Sequence, residues 1–93
     1  MIKCLKIVMS GSFPDGFARE FIQKHARNLD LEGIAQALPD GTIRVLVCGL
    51  KDPVDHFLDA LHKGEGKVIP EMVEVEPFVK DRDFRGVFRV LEG

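Results

Sequence analysis

The chain has no tryptophan and no tyrosine; seven phenylalanines make up its phenyl and indole complement. A surface that stacks nucleobases would have to be built from phenylalanine alone. Thirteen Lys and Arg face fifteen Asp and Glu, a net charge of −2, and the cations are scattered along the chain. Backbone-phosphate affinity needs clustered cations, so no nucleic acid is expected as a partner. No apolar run approaches the roughly 18 to 20 residues of a membrane span, so no membrane partner is expected either. The opening MIKCLKIVMS is broken by Lys3 and Lys6 and reads as a strand rather than a secretory signal. Cysteine is scarce as well. Cys4 and Cys48 are too few for a disulfide scaffold, and there is no CxxC. In a cytoplasmic protein, the expected location, both should be free thiols.

What is present suits one globular domain, 1–93. Apolar residues are 45% of the chain, enough for one core, and 30% are charged, which argues against disorder. Residues 3 to 10 alternate: Leu5, Ile7 and Met9 share one face, while Cys4, Lys6, Val8 and Ser10 share the other, as in a half-buried strand. After a loop at 11–15, Phe17, Ala18, Phe21, Ile22, Ala26 and Leu29 fall at helical spacing and predict a helix over about 16–29. EGIAQAL (32–38) and IRVLVCG (43–49) flank the turn signal PDGT and predict a hairpin. Asp52 as N-cap and Pro53 at the first helical position open a second helix, with Val54, Phe57, Leu58 and Leu61 as its stripe and Gly64 as its C-cap. A strand is expected at about 70–79, then a charged, solvated turn KDRDFRG, then a short strand 87–91.

The order is β-α-β-β-α-β plus a short β. Two one-faced helices belong together on one side of an antiparallel sheet. The expected fold is therefore α+β, a ferredoxin-like two-layer sandwich whose other face meets solvent or a partner. If the third strand lies antiparallel beside the first, Cys4 and Cys48 fall close together on that open face, as two strand thiols or as a redox-sensitive pair.

The stretch SGSFPDGFAR, Ser10 to Arg19, and the residues after it resemble the acylphosphatase family. That family carries G-x-V-Q-G-V-x-F-R, then L-G-L-x-G, then W-V-x-N-x-x-D-G-T-V. Gly11, Arg19, Ala26, Leu29, Leu31, Gly33, Asp40, Gly41, Thr42 and Ile43 match without a gap. KGEGKVIPEMVEV resembles the segment G-P-x-x-A-x-V-x-x-V with Lys67 at the proline, and VFRVL resembles the terminal strand. The resemblance implies hydrolysis of the carboxyl–phosphate bond of small acyl phosphates without metal or cofactor. It implies that the loop Phe13, Pro14, Asp15, Gly16, Phe17 and Ala18, together with Arg19, holds the phosphate, while an asparagine orients the attacking water. Helix-start amides attract anions, and the guanidinium fork matches phosphate oxygens.

Two departures oppose catalysis. The asparagine position is Ala37, which has nothing to offer a water. Gln36 should point to the opposite face of its strand, and Asn28 should lie about 13 Å beyond Arg19 along the helix. In the loop, V-Q-G-V has become Phe13-Pro14-Asp15-Gly16. Pro14 lacks an amide donor, and Asp15 places a carboxylate where an anion would bind. Asp15 could cap the helix and pair with Arg19, filling the cradle itself; alternatively it is a solvated loop residue.

The remaining polar candidates read as structural. His56 and His62 lack the i, i+4 spacing of a metal pair, and neither they nor His25 has a complementing ligand set. Ser10 and Ser12 lack a nucleophile-elbow pattern, and Glu20 and Glu32 form no evident pair. RNA binding through the sheet face is opposed by the acidic balance and by the lack of aromatics on that face. The expected function is an acylphosphatase-like domain with weak or absent catalysis. The alternative is a non-catalytic module of the same fold that binds a small anion or a protein. Any ligand should be small and phosphate-containing, and the chain a monomer or weak dimer.

Overall fold

The structure, a computed structural model, describes residues 2–80 and 83–91. Five strands, β1 (Ile2–Ser10), β2 (Glu32–Ala37), β3 (Ile43–Leu50), β4 (Met72–Pro77) and β5 (Phe88–Leu91), form one sheet in the order β4-β1-β3-β2-β5. The first four pair antiparallel, and β5 adds a parallel pair with β2. Two helices cover one face, as the ferredoxin-like expectation required.

Alternation decides which face is covered. Leu5, Ile7 and Met9 of β1 lie opposite Val47, Val45 and Ile43 of β3, and all six are buried in the core. The first helix, α1 (Ala18–Gln23 continuing as Lys24–Asn28), with its N-cap Phe17 supplies Phe17, Ala18, Phe21, Ile22 and Ala26 to that core, and the second, α2 (Lys51–Lys63), supplies Val54, Phe57 and Leu61. Phe57 and Phe88 meet edge to face with centroids 5.9 Å apart, an arrangement that adds to their burial. Gly33 is required at the β2–β3 contact. A Cβ there would stand 1.8 Å from the Leu46 carbonyl oxygen, and φ is +147°.

The helices differ from expectation at their N-terminal ends. α1 opens as a π-helix, Ala18–Gln23, and continues as an α-helix, Lys24–Asn28. Phe13, Phe17 and Phe21 stack in series, with centroids 5.1 and 5.0 Å apart, and the His25 ring lies tilted against Phe21 at 4.5 Å. α2 starts one residue before Asp52. Its N-cap is Leu50, without a side-chain bond, because the chain passes straight from β3 into the helix. Asp55 of the first turns instead ties Lys3 (2.7 Å) and Lys51 (2.9 Å) together. Gly64 ends α2 as expected, at φ 71°, and its N–H donates to the Ala60 carbonyl.

The cysteines depart most from expectation. Cys4 and Cys48 are directly opposite in the β1–β3 ladder, Cα atoms 4.2 Å apart, and they are joined as a disulfide. Free thiols were the wrong expectation, since antiparallel register puts both side chains on the open face at contact distance. The bonded pair carries no argument for a reducing compartment. Cys48 is only 1% exposed although it lies outside the main core cluster. Described residues of the strap between β4 and β5 lie at this end of the sheet. Phe78 N–H donates to the Cys4 carbonyl, Lys80 pairs with Glu32 beside Cys48, and Phe84 is buried outside the main core. The charges of this strap predict a solvated turn. Phe84 and the Lys80–Glu32 pair correct that reading; Asp81 and Arg82 of the same turn lie outside the described residues.

Candidate functional site

β1 ends at Ser10, β2 at Ala37 and β5 at Leu91, while β3 begins at Ile43, all at one end of the sheet. There the loop 11–17 and the start of α1 wall off a cleft of about 900 Å³. The strands bring residues far apart in sequence to the same rim.

Phe13, Pro14, Asp15, Gly16, Phe17, Ala18 and Arg19 all line this cleft, and so does Ala37. The loop reverses at Gly16, whose φ of +83° is one that side chains rarely adopt. The Phe17 N–H donates to the Pro14 carbonyl at 3.1 Å and the Glu20 N–H to the Gly16 carbonyl at 2.8 Å. The Phe17 amide is thus engaged within the loop. Among the described residues, no backbone carbonyl accepts from the N–H groups of Ser12, Phe13, Asp15 or Gly16. Such amides are what an anion needs from a loop.

Asp15 does not cap the helix: the N-cap of α1 is Phe17, with no side-chain bond. Asp15 is exposed at the cleft. Two helix-start donors are already satisfied by the Pro14 and Gly16 carbonyls.

The opposite wall is largely apolar. Gln36 sits on the open face, where its Oε1 accepts from Arg44 Nη2 at 3.3 Å, as alternation required. Asn28, at the far end of α1, is not among the cleft residues. Residues that sequence reasoning did not assign to the site complete it: Leu38, Thr42, Ile43, Val68, Val90 and Leu91. Val90 and Leu91 arrive through the parallel β2–β5 pairing, for which no local signal exists. Leu38 and Thr42 were readable only as turn residues. The Thr42 N–H and hydroxyl both donate to Asp40 Oδ1, at 3.0 and 2.7 Å, and the hydroxyl bond is the main reason the Asp40 carboxyl lies below the usual range. This bracket and the Leu38 N–H bond to the Thr42 carbonyl (2.8 Å) hold the hairpin turn at the cleft edge.

The architecture and the loop–arginine cleft define an acylphosphatase-like α+β domain, and comparison with known proteins agrees. The family model for acylphosphatase matches residues 5–89. An acylphosphatase of Methanococcoides burtonii is 39% identical over 75 residues, covering 81% of this chain and 73% of that one. One of Caldivirga maquilingensis is 31% identical over 83 residues, covering 88% and 87%. The structure of an acylphosphatase from Coxiella burnetii superposes with a TM-score of 0.86 at 28% identity, covering 97% of this chain and 93% of that one. The chain belongs to the acylphosphatase family.

Proposed function

We propose that this domain holds a small phosphate-bearing ligand through Arg19 and the loop of residues 13–18, and that it cleaves acyl phosphates weakly or not at all. In the family reaction a water oxygen bonds to phosphorus while the bond from phosphorus to the acyl oxygen breaks. The products are a carboxylate and inorganic phosphate, and the water's proton passes to the products. The loop amides and the guanidinium stabilise the charge on the transferring group, but a group must also aim the water.

The observation that carries this reading is Ala37. It lines the cleft at the position where the resemblance places the water-orienting amide, and its methyl group can neither accept nor donate a hydrogen bond. Gln36 on the opposite face is no replacement.

Turnover of benzoyl phosphate tests the reading. The natural chain should hydrolyse it near the spontaneous rate. Ala37→Asn should raise the rate at least tenfold, and Arg19→Ala in that background should abolish the gain. Brisk cleavage by the natural chain, lost on Arg19→Ala, would overturn it and make this an ordinary hydrolase with another group aiming the water.

A further inference from the structure

We propose that the cleft selects an acyl phosphate, or a phosphate monoester, whose organic part is a hydrocarbon chain rather than a small polar group. This inference rests on the phosphate-binding reading above and adds the other half of the ligand. Its basis is the segregation of polarity inside the cleft. Asp15 and Arg19 are the two ionisable lining residues among those described, and both belong to the loop and the first turn of α1. The remaining wall is built from Ala37, Leu38, Ile43, Val68, Val90 and Leu91, with Gly41 and Thr42 of the hairpin turn at its edge, and carries no charge among the described residues. Leu91 is 40% exposed at the rim and Leu38 is half-buried, so apolar surface is left accessible beside the polar end.

Size points the same way. About 900 Å³ lies near the upper end of the ~300–1,000 Å³ of sites that enclose drug-sized ligands. A phosphate with an acetyl group would leave most of the apolar wall facing water. A hydrocarbon chain along Leu38, Val90 and Leu91 would cover it, and each methylene that leaves water tightens binding by up to about fourfold. Alanine at position 37 then has a second consequence: it removes the one amide that the family pattern would place on this wall, making the apolar surface continuous from Ala37 to Leu91.

The test uses the whole chain and four probes: inorganic phosphate, ethyl phosphate, octyl phosphate below its micelle concentration, and octan-1-ol. Binding is read from the amide signals of residues 12–19 and of Leu38 and Leu91. Octyl phosphate should bind at least tenfold more tightly than ethyl phosphate and shift both sets. Leu38→Ser with Leu91→Ser, two incompletely buried positions, should cut that ratio to about twofold. Equal affinity for ethyl and octyl phosphate, with the loop signals moving, overturns the hydrocarbon inference and leaves the phosphate reading standing. Octan-1-ol binding as tightly as octyl phosphate, or no phosphate moving the loop signals, overturns the phosphate reading and the inference with it.

Discussion

The two ends of the sheet carry similar residue types but are finished in different ways. At the Cys4 end, β1 and β3 are joined covalently, the strap brings Lys80 onto Glu32, and Phe84 is buried against that end. At the Ser10 end, the same two central strands run into a glycine-ended loop and a hairpin turn, and the space between them is open. Among the described residues, the amides of Ser12, Phe13, Asp15 and Gly16 have no carbonyl partner there, and apolar side chains of β2 and β5 stay accessible. One end spends its residues on closure; the other leaves polar and apolar groups available to a ligand. A fold can hold such an open end only if the rest is well determined, and the disulfide and strap supply that at the far end.

Breaking the closed end should have the largest effect. The disulfide closes a loop with a sequence separation of 44. Cys4→Ser with Cys48→Ser should therefore lower unfolding free energy by about 2–4 kcal/mol, measured by urea titration. Reduction of the natural chain should match the double variant. An unchanged midpoint would show that packing of Cys48, not the bond, stabilises this end.

Changes at the open end should alter ligand affinity more than stability. Asp15→Gly removes a carboxylate exposed at the cleft. Two like charges about 4 Å apart in water repel by about 1 kcal/mol, so phosphate or sulfate affinity should rise about fivefold. Titration followed by the loop amide signals checks this. An unchanged dissociation constant would mean that the bound anion sits well away from residue 15.

The smallest effect belongs to Asp55, which links β1 to α2 on the surface. Its bond to Lys3, then its bond to Lys51, hold its carboxyl below the ordinary value of 3.8. A depressed folded value means that the unfolded chain takes up the proton first. The stabilisation is therefore fully present above about pH 4 and disappears as pH falls through the lower, folded value. Asp55→Asn should lower the melting temperature slightly at pH 7 and make no difference at pH 2. An equal loss at both pH values would assign the effect to packing. Added salt should shrink the pH 7 difference.

Much of this is legible in the sequence. The alternation of Leu5, Ile7 and Met9, the stripe from Phe17 to Ala26, the PDGT turn and Gly64 each pointed to the element that formed, because each is a local signal of backbone period or conformation. The departure at Ala37 was legible too, through an ungapped match to a family pattern. Other features depended on which residues meet. The N-cap at Asp52 failed because the direct exit from β3 determines where α2 begins. Of the two readings of Asp15, the helix cap did not form, because the Pro14 and Gly16 carbonyls accept from the helix-start amides. Free thiols were expected from the usual compartment of such a chain, yet strand register set Cys4 against Cys48.

The sequence alone therefore determined the order and faces of the elements, the family, and the absence of an amide at position 37. Those properties reside in spacings of a few residues and in residue identity. Only the tertiary structure decided that the cysteines bond, that the strap closes one end, and that Leu38, Val90 and Leu91 turn the other into a largely apolar cleft. Strand pairing joins positions tens of residues apart, and no local periodicity encodes which of them become neighbours.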